Sequence, residues 1–205
     1  MTVGERKVNP KKGEQTRQGI LQAAITRFGR DGFRATSVAD IAREAGVGGT
    51  VAYAYFPNKE ALFLAAVDED AAAVIAEGLS AVSDEADVTV WQQTLVFTLV
   101  TAVEHHPLAR RVLAGLEPEV TERVLEIPAL AQLRKVCAER LRSEQLAGVV
   151  RSDIDPAVMA NGIVAIVLSL LMSLVQLGSG VAATYGNDVV AVFEAALRPT
   201  GPRVR

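Results

Sequence analysis

Residues 156–187, PAVMANGIVAIVLSLLMSLVQLGSGVAATYGN, contain no charged side chain. An apolar run of about eighteen residues or more has two physical solutions: it crosses a bilayer, or protein covers it. Three features favour protein. Asn161, Ala165, Ser169 and Ser173 recur at four-residue spacing with Gln176 close behind, so a helix here carries a small, polar stripe. The flanks hold Asp153 and Asp155 on one side and glycines on the other, without the clustered Lys and Arg that border membrane spans. No other segment is long and apolar enough to span. The stretch is therefore read as a helix buried nearly all round, with no membrane partner.

The rest of the chain is helical in pattern. Candidate helices are 57–82, 88–105, 107–114, 118–125, 128–147, 156–177 and 187–197, with breaks at Pro107, Gly115–Pro118, Pro128, Gly148 and the 178–186 segment, which holds three glycines. No alternating strand pattern and no internal repeat occur, so the fold class is all-α.

Residues 1–15 read as a basic, flexible arm with Lys11 and Lys12 near its end. A first helix is expected from about Thr16, with Ile20, Leu21, Ala24, Ile25 and Phe28 on one face and Gly32 as its stop. In TSVADIAREAG, Ser37 and Asp40 form an S-x-x-D capping box, with Thr36 as the alternative cap, and Gly46 ends the second helix. The next stretch, GVGGTVAYAYFPNKE, opens a helix on glycines, each costing about 1 kcal/mol relative to alanine in a helix interior. Four-residue spacing turns Ala52 and Phe56 inward with Val51 and Tyr55 at their flank. Gly49, Thr50, Tyr53 and Ala54 then point outward. Asn58 caps a long fourth helix. Two short helices around a tight turn make a helix-turn-helix.

Charge is divided along the chain. Residues 1–60 hold ten Lys/Arg against six Asp/Glu, and residues 61–205 eleven against eighteen. A basic end on an acidic body fits a polyanion partner for that end only. The single cysteine, Cys137, excludes an intramolecular disulfide. Arg134, Lys135 and Arg140 lie near it in sequence and could depress its pKa, although a lone helical cysteine more often serves packing. The N-terminus is polar and basic without an apolar signal core, so the cytoplasm is the expected location. His105 and His106 are adjacent and point about 100° apart on a helix, which makes no two-ligand face. No metal, cofactor or catalytic set is expected, and an enzyme or a membrane-associated protein is a weaker alternative.

Residues 16–62 resemble the DNA-binding region of the TetR family of transcriptional regulators. The resemblance rests on FGRDGFRATS at the first-helix end, SVADIAREAGV in the second helix, YAYF closing the third and PNKE opening the fourth. It implies a helix-turn-helix unit at 16–60 and a helical ligand-binding and dimerisation domain at 61–205. It further implies a homodimer on a pseudo-palindromic DNA operator, most often as a repressor released by a small-molecule effector. An activator, or a regulator without a ligand, is the alternative on the same fold. The implied DNA surface is Lys11, Lys12 and Arg17 as a minor-groove arm; Thr36, Ser37 and Val38 at the start of the second helix; Gly48, Gly49, Thr50, Val51, Tyr53, Ala54 and Tyr55 in the third; and Lys59. Tyr53 and Lys59 stand where the family places phosphate contacts. This chain departs from the family at Gly48, where a serine cap is common, and at Gly49, Ala54 and Ala39, where polar or basic residues are common. A face so bare implies modest base readout biased to thymine methyls.

The resemblance also implies that the two last long helices pair with their copies as a four-helix bundle, with Asn161, Ala165, Ser169, Ser173 and Gln176 at the interface. The effector pocket is expected among residues 88–177, with Trp91, Thr94, Phe97, Thr98, His105 and Leu133 as lining. The scarcity of charge there favours an uncharged or lipophilic effector.

Overall fold

The computed structural model describes residues 10–199 apart from 122 and 179. Its helices are α1 (Pro10–Ala35), α2 (Val38–Glu44), α3 (Gly49–Tyr55), α4 (Lys59–Ala81), α5 (Val88–His105), α6 (Pro107–Leu113), α7 (Pro118–Thr121), α8 (Pro128–Leu146), α9 (Pro156–Leu177) and α10 (Gly180–Leu197), with a 3-10 turn at Val124–Glu126. No strand occurs among the described residues, and the fold is all-α.

The prolines explain several boundaries. Pro107, Pro128 and Pro156 each stand in the first turn of a helix, where the missing N–H costs nothing and φ is already helical. Asp155 completes the start of α9, accepting from Ala157 N–H at 2.7 Å and Val158 N–H at 3.1 Å. Asn58 does the same for α4, accepting from Ala61 N–H at 2.7 Å.

Three expected boundaries differ. The first helix begins at Pro10, not near Thr16, so Lys11 and Lys12 ride on its opening turns rather than in a flexible arm; residues 1–9 of the expected arm lie outside the described residues. Where a helix is expected over 118–125, the structure has α7 over Pro118–Thr121 and the separate 3-10 turn at Val124–Glu126. α10 starts at Gly180, ahead of the expected residue 187. Gly186 is a packing residue there and not a break, since a Cβ on it would stand 3.3 Å from Phe97 Cε1.

Two apolar clusters form the interior. The first joins Ile20, Leu21, Phe28, Ile41, Ala52 and Phe56 to Leu62 and Phe63 of α4 and Leu108 and Val112 of α6. Phe63 meets Phe28 edge-on at 5.0 Å and Phe33 at 4.8 Å between centroids. Truncating a ring so enclosed costs about 3–5 kcal/mol. The second cluster joins α4, α5, α8, α9 and α10 around Trp91, Leu99, Leu133, Val164, Leu171 and Phe193. α4 runs through both clusters, and α6 packs against α1 on one side and α9 on the other.

The most apolar eighteen-residue window of α9 has a mean hydropathy of 2.4, yet only 39% of it is buried. Ile163, Val164, Val167 and Leu171 face the core, while Val158, Ile166 and Leu177 are exposed. The near-complete cover expected for this helix is thus supplied on one face only within a single chain.

Candidate nucleic-acid interface

α1 breaks at Gly32, whose φ of 82° lies in the left-handed region. A Cβ there would also crowd the ends of the Arg111 and Glu117 side chains, but it is the backbone conformation that requires glycine. The kink decides the fate of the residues that follow. Thr36 turns inward, 4% exposed, and donates to Gly32 C=O at 2.8 Å. Val38 is likewise buried. Neither residue offers a side chain to a partner, which corrects their place in the expected DNA surface. Ser37 is the cap of α2: its Oγ accepts from Asp40 N–H at 3.1 Å and donates to the Asp40 carboxylate at 2.6 Å. It stays exposed, with its hydroxyl already engaged.

α3 follows Gly46, which closes the turn at φ 69°. Ala52 is fully buried and Phe56 nearly so, pinning the inner face. Gly48, Thr50, Val51, Tyr53 and Ala54 are exposed; Gly49 and Tyr55 are half-buried. Gly48 adopts φ −74°, a conformation any residue takes, and makes no side-chain cap. A Cβ built on Gly48 or Gly49 meets nothing within 4 Å. Neither internal packing nor backbone geometry asks for these glycines.

Two cations border this helix on aromatic faces. The Arg17 guanidinium lies 5.3 Å from the ring centroid of Phe56, the residue that ends α3. Lys59 Nζ lies 4.4 Å from that of Phe33 and donates to Arg34 C=O at 3.4 Å. Lys59 is therefore seated on α1 as well as opening α4. Lys11 and Lys12 are exposed at the start of α1. Cations in a first turn oppose the helix macrodipole and gain from an external anion.

The effector residues expected from the sequence disperse. A cavity of about 70 Å³ lies among α4, α5, α6, α8 and α9, and its walls are valine, leucine, isoleucine and alanine throughout. Leu133 lines it. Trp91 is buried in the core elsewhere, and His105 is exposed at the end of α5. Thr94, Phe97 and Thr98 line a shallow groove on the outer face of α5 with Gln93 and Thr101. The inner face of α5 is Leu95, Leu99 and Val103, one register away. Cys137 is buried, and that burial pushes its thiol up to about 12 rather than down.

On α9, Asn161, Ala165 and Ser169 are exposed and Ser173 is half-buried. Both serine hydroxyls are satisfied within the helix, Ser169 donating to Ala165 C=O and Ser173 to Ser169 C=O at 2.9 Å each. Gln176 instead ties α9 to α6, donating to Leu113 C=O at 2.9 Å.

Sequence reasoning missed the junction between the helix-turn-helix and the body. Asp70, 3% exposed, accepts from Leu108 N–H at 3.1 Å and Ala109 N–H at 2.7 Å, capping α6 from α4. His106 Nδ1 lies 2.8 Å from Asp70 Oδ1, and its Nε2 lies 3.0 Å from Glu77 Oε1. Burial alone would lower the His106 pKa; the hydrogen bonds to Glu77 and Asp70 outweigh it and raise the pKa above the ordinary value. Glu117, 2% exposed, accepts from Phe33 N–H at 3.3 Å and pairs with Arg111. Asp70 could have been found, since it occupies an apolar-face position between Ala66 and Val74.

Residues 20–66 match the bacterial regulatory proteins of the tetR family. Over 199 residues the chain is 26% identical to YdgC of Bacillus subtilis (strain 168), an uncharacterized HTH-type transcriptional regulator, covering 95% of this chain and 98% of that one. Among solved structures, the transcriptional regulator FadR from Bacillus subtilis in complex with stearoyl-CoA is similar in fold, with a TM-score of 0.70 at 17% identity over 88% of this chain and 99% of that one. FadR from Thermus thermophilus, a TetR family transcriptional repressor in complex with lauroyl-CoA, has a TM-score of 0.63 at 21% identity over 92% and 99%.

Proposed function

We propose that this chain, whose residues 20–66 match the bacterial regulatory proteins of the tetR family, is a ligand-responsive repressor that binds a pseudo-palindromic operator as a homodimer. The observation that carries this reading is the pair Gly48 and Gly49. Both could hold a larger residue without internal conflict, so their bareness serves a surface outside the chain. A helix without Cβ atoms at its N-terminal end can lie close to base edges in the major groove, with Thr50, Val51 and Ala54 against thymine methyls. Tyr53, 53% exposed, and Lys59 fix its position on phosphates, which sets register and not sequence. Arg17, Lys11 and Lys12 add backbone charge from α1.

In the proposed division of labour, residues 16–60 meet DNA and 61–205 bind effector and pair the subunits. The exposed faces of α9 and α10 form the dimer contact, with Ala165, Ser169 and Ser173 allowing close approach. Such a dimer sets two α3 helices about 34–36 Å apart, one turn of duplex. The effector is small and lipophilic, a reading supported by the aliphatic cavity beside α4 and α6 and by acyl-CoA in the two FadR relatives. It releases DNA only to the extent that it prefers the conformation that binds DNA less well.

Selection of bound duplex from a random pool tests the reading. Two half-sites about one helical turn apart, T-rich at the α3 positions, are expected, with affinity falling steeply as salt rises. A purified protein that shows no salt-sensitive attraction to any duplex overturns it.

A further inference from the structure

Thr36, Asp70, Gln92 and Glu117 are the buried polar residues among the described ones. Three of them are paired within the chain: Thr36 with Gly32 C=O, Asp70 with the N–H groups of α6, and Glu117 with Arg111. Gln92 of α5 differs. It is 4% exposed, yet its side chain has no hydrogen-bond partner among the described residues. A buried amide costs free energy unless something pairs with it. Its atoms are not sealed in, since Arg140 Nε is the one fully enclosed side-chain atom without a partner among the described residues.

Gln92 lines a hollow of about 190 Å³ between the start of α5, the end of α10 and the turn after α8. Backbone bonds fix this frame. Arg151 N–H donates to Leu197 C=O at 2.9 Å, and Val150 N–H donates to Glu144 C=O at 3.2 Å. The end of α5 is already satisfied by Asp87, which accepts from Thr89 N–H and Val90 N–H, so the unmet group is the amide. Val88, Val150, Leu197 and Pro199 supply apolar walls. Glu194, half-buried, and Arg198, exposed, stand on the outer side with opposite charges. No residue of this hollow lines the aliphatic cavity between α4 and α9.

Size and chemistry narrow the occupant. A cavity of about 150 Å³ holds one benzene, so about 190 Å³ suits a single ring of six or seven atoms. The Gln92 amide presents an acceptor and a donor side by side. A ketone or ester only accepts, and an ammonium only donates; either leaves half of the amide unpaired. An amide with its N–H and C=O on the same side supplies both. Open-chain secondary amides hold those groups on opposite sides, and reversing them costs about 2.5 kcal/mol. A ring amide is held in the required form.

We infer that this hollow is a binding site for a small uncharged lactam, whose N–H donates to Gln92 Oε1 and whose C=O accepts from Gln92 Nε2, with its methylenes against Val88, Val150 and Leu197. The site is separate from the effector cavity and does not depend on the regulator reading.

Titration of the purified full chain with ε-caprolactam and with ε-caprolactone, followed by NMR at the Gln92 side-chain amide, tests it. The two rings differ by one N–H. The lactam should shift that resonance and bind about tenfold tighter than the lactone, which leaves Gln92 Oε1 unpaired. Gln92→Leu should reduce the preference to within about twofold and melt no lower than wild type, since it removes a buried polar group that has no partner in the fold. Val149→Trp, at an exposed position on the wall, should block both rings. Absence of lactam binding, equal binding of the two rings, or a preference that survives Gln92→Leu overturns the site. So does undiminished binding to Val149→Trp. A clearly lower melting temperature in Gln92→Leu also overturns it, because the amide is then paired within the chain.

Discussion

Asp70 Oδ1 lies 2.8 Å from His106 Nδ1, and Asp70 Oδ2 lies 2.7 Å from Ala109 N–H. One buried carboxylate thereby joins α4 to the end of α5 and to the first turn of α6. Its loss leaves two α6 N–H groups without an acceptor, each costing about 1–3 kcal/mol when buried. Asp70→Ala should therefore destabilise the fold by about 3 kcal/mol in urea unfolding, and Asp70→Asn, which keeps one acceptor, by clearly less. Equal and small effects would show that the cap contributes little.

The same junction confers a pH dependence. The His106 pKa is raised above its ordinary 6.5 by Glu77 and Asp70, the two acids that face it, against the opposing effect of burial. A raised folded pKa means that the protonated ring is favoured by folding. Its contribution is full below about pH 6.5 and is lost as pH rises through the higher folded value. The stability difference between wild type and His106→Asn should be largest near pH 6 and shrink as the pH rises above the ordinary value. A difference that stays constant or widens with rising pH would contradict this.

Gly32 holds the hinge between α1 and α2, with Arg111 and Glu117 packed where a Cβ would go. Gly32→Ala meets both a left-handed backbone and a collision, so it should destabilise by about 2 kcal/mol or more. Gly46, whose φ of 69° is similar but whose surroundings are open, isolates the conformational part. Gly46→Ala should cost about 1 kcal/mol. Thermal unfolding of the two variants checks the order.

Much of this fold is legible in the sequence because its punctuation is chemical. Pro107, Pro128 and Pro156 open helices, Asn58 caps α4, and Gly32 and Gly46 end helical runs. The buried pair Ala52 and Phe56 follows from four-residue spacing, and it fixes the outward face of α3. Periodicity fails where a helix is apolar nearly all round. On α5, the set Thr94, Phe97, Thr98 and the set Leu95, Leu99, Val103 both make a helical face, and only packing against α4 selects the second. The kink at Gly32 is legible as a break, but not the inward turn it gives Thr36 and Val38. Glu117 stands between Gly115 and Pro118, where nothing local marks a buried acid.

The exposed small stripe of α9 makes the proposed subunit contact testable. Ala165 lies on that face with Ile166 and Ser169, so Ala165→Arg leaves the core untouched while placing two like charges at a symmetric interface. Sedimentation should show a shift from dimer to monomer, with duplex affinity reduced at least tenfold as two half-site contacts uncouple. A variant that stays dimeric would move the interface off this face.

Gly49 separates stability from recognition most directly. It occupies the first turn of α3, has no Cβ neighbour within 4 Å and is half-buried. Inside the chain, alanine there removes backbone freedom from the unfolded state and favours helix, so Gly49→Ala should raise stability by about 0.5–1 kcal/mol. At the proposed DNA surface, the added methyl would keep the helix backbone from the groove. Affinity for the selected duplex should fall, by about tenfold for a contact worth roughly 1–2 kcal/mol. Melting temperature and duplex binding measured on one preparation should thus move in opposite directions. If Gly49→Ala strengthens both, the bare end of α3 answers to folding alone, and the close approach to DNA is not its reason.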